Sequence, residues 1–154
     1  MGWVENTFAD EVVYINSIAG LWNAMRDSVG VTVHEFTKRT SGSGIPLTRK
    51  DCKARGQYCI RVEKGQQPPS SVEVFLDEQD KTLKVSLPDE PERARLVCGY
   101  RLKADRSGLE FFDVVDGTAS QLSTEAACEK ALRDFLFMPF PRVFAGPDGK
   151  IMAR

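Results

Sequence analysis

Residues 50–64, KDCKARGQYCIRVEK, gather two of the four cysteines, Cys52 and Cys59, among five cationic side chains. Three chemistries suit such a mixture: thiolate binding of a metal, thiol redox or nucleophilic work, and capture of an anion. Zinc sites usually pair thiolates two to four residues apart, with a second pair elsewhere. Here six residues separate Cys52 from Cys59, and twenty-nine separate Cys98 from Cys128, so no metal ligand is expected. Cys59 and Cys98 lie in apolar, extended-looking stretches and Cys128 on the inner side of a helical one, which reads as small core residues. Cys52, between Asp51 and Lys53, is left as a candidate exposed thiol whose ionisation nearby cations would favour.

The cations themselves form the second candidate. Arg49, Lys50, Lys53, Arg55, Arg61 and Lys64, with Tyr58 interleaved, suit phosphate contacts with a tyrosine stacking on a base. Residues 31–64 carry eight bases against three acids, but residues 65–92 carry seven acids against two bases. The whole chain has a net charge of -1 and a pI of 5.9, far below that of a dedicated nucleic-acid domain. Neutralisation of the patch by the acidic stretches DEQDK and PDEPE, within the monomer or across a dimer, is the competing expectation.

Other candidates carry less. His34 is the only histidine, too few for a histidine-rich metal site, and it serves as a base for Cys52 only if the fold joins them. Glu110, Asp113 and Asp116 form an acidic cluster, yet strand alternation puts Asp113 on the face away from Glu110, and Asp116 precedes Gly117 at an expected turn. Nothing resembles G-x-S-x-G or a phosphate-cradling loop. No catalytic apparatus and no cofactor is indicated, and the chain is expected to work by binding.

The elements that must position these residues follow from periodicity. On a helical wheel Phe8, Val12, Ile15, Ala19, Trp22 and Val29 share a stripe, and Tyr14, Ile18, Leu21 and Met25 form another beside it. The arc covers roughly half the circumference, against about 100° for an ordinary surface helix. Gly30 and Val31-Thr32-Val33 argue for a break, whereas Val33 and Phe36 continue the arc, and the balance favours a helix over residues 1–40. Residues 41–56 read as a flexible basic linker after SGSG. Residues 57–117 hold alternating strands at 57–63, 72–76, 82–87, 94–103 and 109–115. A helix over 122–138 starts near Ser123, and 139–154 reads as a tail with a small hairpin around Pro-Asp-Gly.

The expected fold is therefore a single α+β domain: a long N-terminal helix, about five antiparallel strands, a second helix near the C-terminus and a short terminal hairpin, with both helices on one sheet face. A chain of 154 residues, 42% apolar and 28% charged, can bury a core of its own. No apolar run approaches the roughly 18 residues of a membrane span, and the acidic N-terminus lacks a secretory n-region, so a cytoplasmic protein is expected. The broad helix face needs more cover than one sheet gives. Helix 2 and the apolar tail supply it, or an apolar ligand pocket lined by Trp22 and Met25 does. The leading expectation is an interaction or adaptor module in which Phe8, Val12, Ile15 and Trp22 meet a second copy or another protein. The pocket, with strand aromatics completing its lining, would instead make a small-molecule carrier or enzyme.

Overall fold

The computed structural model describes residues 2–40, 46–53, 55–65, 70–88 and 93–137. Helix α1 runs unbroken from Trp3 to Arg39, 37 residues, about 55 Å at 1.5 Å per residue. Its buried residues Ile18, Leu21, Trp22, Met25, Val29 and Phe36 recur three, four or seven apart, so one stripe faces the core. That stripe carries the helix through Gly30 and the β-branched run, with Thr32 Oγ1 3.5 Å from Cys128 Sγ. Gly30 also leaves room for the Arg49 guanidinium: a Cβ there would stand 3.1 Å from Arg49 Nη1.

Seven strands follow: β1 (Leu47–Cys52), β2 (Cys59–Lys64), β3 (Ser70–Asp77), β4 (Thr82–Ser86), β5 (Arg95–Leu102), β6 (Leu109–Val115) and β7 (Thr118–Leu122). They form one antiparallel meander in which each strand pairs with its neighbour in sequence. Helix α2 (Thr124–Phe137) closes the described chain. Its start is fixed by Ser123 Oγ, which accepts a hydrogen bond from the Ala126 N–H at 3.1 Å, as the sequence implies.

The α+β class and the antiparallel sheet agree with the sequence, but the strand count is seven rather than about five. Strand β1 occupies part of the stretch expected to be a flexible linker. Its sequence LTRKDC is mostly exposed and lacks apolar alternation because it is an edge strand held by ions, with Lys50 Nζ 3.1 Å from Glu63 and Arg26 bidentate on Asp51. Strand β7, TASQL, is the other edge and equally polar. It turns back through Asp116 and Gly117, at φ 55° and 77°, a two-residue hairpin of the Asp-Gly kind. The expected terminal hairpin at 139–154 lies outside the described residues.

Both helices cover one sheet face. A continuous apolar cluster joins α1 and α2 to Ile60, Val62, Val74, Leu83, Tyr100 and Phe111 of the sheet. Period-two alternation then turns Cys59, Arg61, Glu73 and Phe75 to the opposite, outer face. Among the described residues no helix is long and apolar enough to cross a membrane.

Candidate functional site on the outer face of the sheet

The β1–β2 hairpin brings the two cysteines together. Cys52 is the last residue of β1 and Cys59 the first of β2, and the register sets them directly opposite each other. On the next strand Glu73 pairs with Arg61, placing its carboxylate diagonally beside Cys59. Cys52, Cys59 and Glu73 each offer a ligand atom within 4.8 Å of the others, the one such group of three found among the described residues.

Glu73 is the centre of the cluster and only 1% exposed. Arg55 Nε donates to its Oε1 at 2.8 Å. Arg61 Nη2 donates to Oε2 at 2.8 Å, and the Cys52 thiol donates to the same oxygen at 3.1 Å. Arg55 comes from the connection between β1 and β2, which folds across the outer face, and its Nη2 donates to the Leu87 carbonyl at 2.6 Å. Its guanidinium stacks 5.5 Å from the Phe75 ring centroid. A buried carboxylate survives because these charged donors satisfy it.

The protonation states follow. Burial alone would raise the Glu73 pKa, but hydrogen bonds from Arg61, Cys52 and Arg55 outweigh it and hold the carboxyl below its usual value. Burial pushes the Cys59 thiol up to about 12, with Cys52 and Glu73 adding to the effect. Cys59 is thus a neutral thiol at pH 7. A groove of about 230 Å³, lined by Trp22, Arg26, Asp51, Lys53, Tyr58 and the two cysteines among others, opens beside the pair.

The basic residues singled out from the sequence divide. Arg55 and Arg61 join the cluster through Glu73. Arg49 is exposed on the helix-facing side of β1 and donates to the Arg26 carbonyl at 3.3 Å, while Lys50 pairs with Glu63. Lys53 and Tyr58 line the groove, and Tyr58 also packs on Trp22 with ring centroids 6.3 Å apart. Of the apolar helix residues, Phe8, Val12 and Ile15 are exposed at 69%, 54% and 70%, but Trp22 is buried at 6%. Of the residues expected to line an apolar pocket, Met25 is fully buried in the core, while Trp22, in the same cluster, also lines the groove beside the cysteines. A larger groove, about 480 Å³, lies between α1 and β6–β7, where Lys103, Ser107, Glu110, Gln121 and Ser123 help line it.

Cys98 and Cys128 are core thiols, both pushed up by burial, Cys98 to about 12. Cys59 is buried too, but on the other face, where it meets Cys52. That pairing is invisible in the count of intervening residues, because a hairpin joins residues by register. The signal available was the turn-prone KARGQY between two extended stretches. Glu73, inside the apolar run VEVFL, offered no such signal. The acidic trio is taken apart as expected: Glu110 pairs with Arg101 on the outer face, Asp113 with Lys130 of α2, and Asp116 makes the turn. His34 is exposed on α1.

Comparison with protein-family models, with curated proteins and with solved structures gives no significant match.

Proposed function

We propose that the protein is a non-catalytic interaction module that pairs with a second copy of itself through the N-terminal half of α1. The observation that carries this reading is the exposed apolar stripe of Phe8, Val12 and Ile15, continued by exposed Ala19. These four residues are spaced 4-3-4, the interval at which one helix presents a seam to another. An antiparallel pairing about a two-fold axis between Val12 and Ile15 would set Val12 against the partner copy's isoleucine of the same stripe. Phe8 would then lie over the small Ala19 and Gly20 of the other helix, so large meets small.

The acids flanking the stripe do not oppose this. Asp10 is paired with Arg106 and Glu11 lies 3.8 Å from Lys81, so the molecule's own loops compensate much of their charge. Burying six such side chains, three per copy, at about 1.5–3 kcal/mol for each complete burial, yields on the order of 10 kcal/mol when scaled for partial exposure. Association costs about 4 kcal/mol or more, which leaves an affinity in the micromolar range or weaker. Light scattering coupled to size exclusion, run across concentrations, tests the reading. A concentration-dependent dimer abolished by Ile15→Glu supports it. A strict monomer at high micromolar concentration, or a dimer indifferent to that change, overturns it.

Anion or nucleic-acid binding through residues 49–64 is less supported. Arg55 and Arg61 both direct their guanidinium groups to Glu73, and Lys50 to Glu63. The neutralising partners are Glu73 and Glu63 rather than the acidic stretch DEQDK, whose Asp77 and Asp80 hold Lys84 instead. Absence of nucleic-acid binding at low salt is the expected result.

A further inference from the structure

The outer-face cluster contains ligand types and spacing that the interaction reading does not use. Two thiols stand opposite each other across a hairpin, and a buried carboxylate lies 3.1 Å from one of them. Tetrahedral zinc, with bonds of about 2.3 Å to sulfur and about 2.0 Å to oxygen, sets its sulfurs about 3.8 Å apart and sulfur from oxygen about 3.5 Å. Three ligand atoms within 4.8 Å of one another therefore reach that geometry by small side-chain rotations. From this we infer that Cys52, Cys59 and Glu73 form a binding site for a thiophilic divalent cation, zinc by ligand type.

Two arginines beside a dication look like an objection, and charge bookkeeping answers it. Before binding, the cluster holds two neutral thiols, one carboxylate and two guanidiniums. On binding, Cys52 and Cys59 each lose a proton to solvent as their sulfurs bond to the metal, so a dication replaces two protons and the total charge is unchanged. Arg55 and Arg61 keep their hydrogen bonds to Glu73 and become the outer partners that orient a ligating carboxylate. Access runs through Cys52, the half-buried member, and the groove it lines. The same cysteines could instead be oxidised to a cross-strand disulfide, and Glu73 distinguishes the two: a disulfide makes no use of it.

The experiment uses the full chain, reduced and stripped of metal, titrated with zinc and separately with cobalt(II) as a spectroscopic probe. Expected are one zinc per chain, a sulfur-to-cobalt charge-transfer band together with visible d–d bands of tetrahedral intensity, and at least about a tenfold loss of affinity in Cys52→Ser and Glu73→Gln. Should Glu73→Gln fail to fold, Cys52→Ser, at a half-exposed position, carries the test, with circular dichroism confirming its fold. A stoichiometry near zero, binding indifferent to Cys52→Ser, or a cobalt spectrum unaltered in folded Glu73→Gln overturns the three-ligand site. So does loss of the zinc response with concurrent loss of two hydrogens by mass spectrometry under reducing conditions.

Discussion

Replacing Glu73 by leucine removes the carboxylate that Arg55 and Arg61 share. The Arg55 side chain is 10% exposed, and a buried charge stripped of its partner costs about 3–5 kcal/mol. Arg61 is 32% exposed and keeps Glu63 at 3.8 Å, so its share stays below about 1 kcal/mol. The Cys52 thiol loses an acceptor, worth about 1 kcal/mol, and the leucine returns part of the loss by filling the same space. Glu73→Leu is therefore expected to lose about 3–5 kcal/mol, a large part of the 5–15 kcal/mol typical of a domain. Adding Arg55→Met removes the stranded charge, so the double variant should be more stable than Glu73→Leu alone, by about 1–3 kcal/mol. Urea unfolding followed by tryptophan fluorescence measures both, provided the denaturant slope stays constant. The same carboxyl sets a pH dependence. Its folded pKa lies below its ordinary value because the donors from Arg61, Cys52 and Arg55 outweigh burial. Its contribution is thus present above the unfolded value of about 4.3 and fades as pH falls through the folded one. Wild-type protein should lose stability in that acid window more steeply than Glu73→Leu. A single variant that loses under about 1 kcal/mol, or a double variant whose loss is the sum of its parts, would refute the claim that this is a buried, mutually dependent network.

Two further outcomes are expected from the helix-facing side. Lys64 is 3% exposed, with its ammonium over the Phe135 ring, and burial lowers its pKa from 10.5 to about 8. The unfolded chain then binds more protons between those values, so stability rises with pH across that range, and Lys64→Met should flatten the rise in pH-dependent unfolding curves. Trp22, buried at 6%, joins α1 to Tyr58. Trp22→Ala should cost about 3–5 kcal/mol by chemical denaturation, and a loss near zero would mean that α1 does not seat there.

Much of this fold is legible because apolar alternation is strong wherever a strand is central. The runs VEVFL and TLKVSL appear as β3 and β4, and the buried spacing of α1 overrides Gly30. The edge strands β1 and β7 escape notice for a common reason. With only one neighbouring strand and exposed side chains, they are built from ions and small polar residues that also suit loops. The candidate site is hidden by the same geometry. Its cysteines are joined by the register of an edge strand, and Glu73 sits in an apolar run where a charged residue is normally solvent-facing. Only the β1–β2 connection folding Arg55 over that face explains why a carboxylate is buried there.

The meander and the position of α1 also determine an order of events during synthesis. Each strand can pair with the one made just before it, so the sheet can grow hairpin by hairpin as the chain emerges. Helix α1 is made first, yet its core stripe rests on strands and on α2 that appear later. At about 5–20 residues per second, Trp22, Met25 and Val29 wait on the order of ten seconds with their apolar stripe uncovered. During that interval the nascent helix presents both its core stripe and its exposed stripe at once.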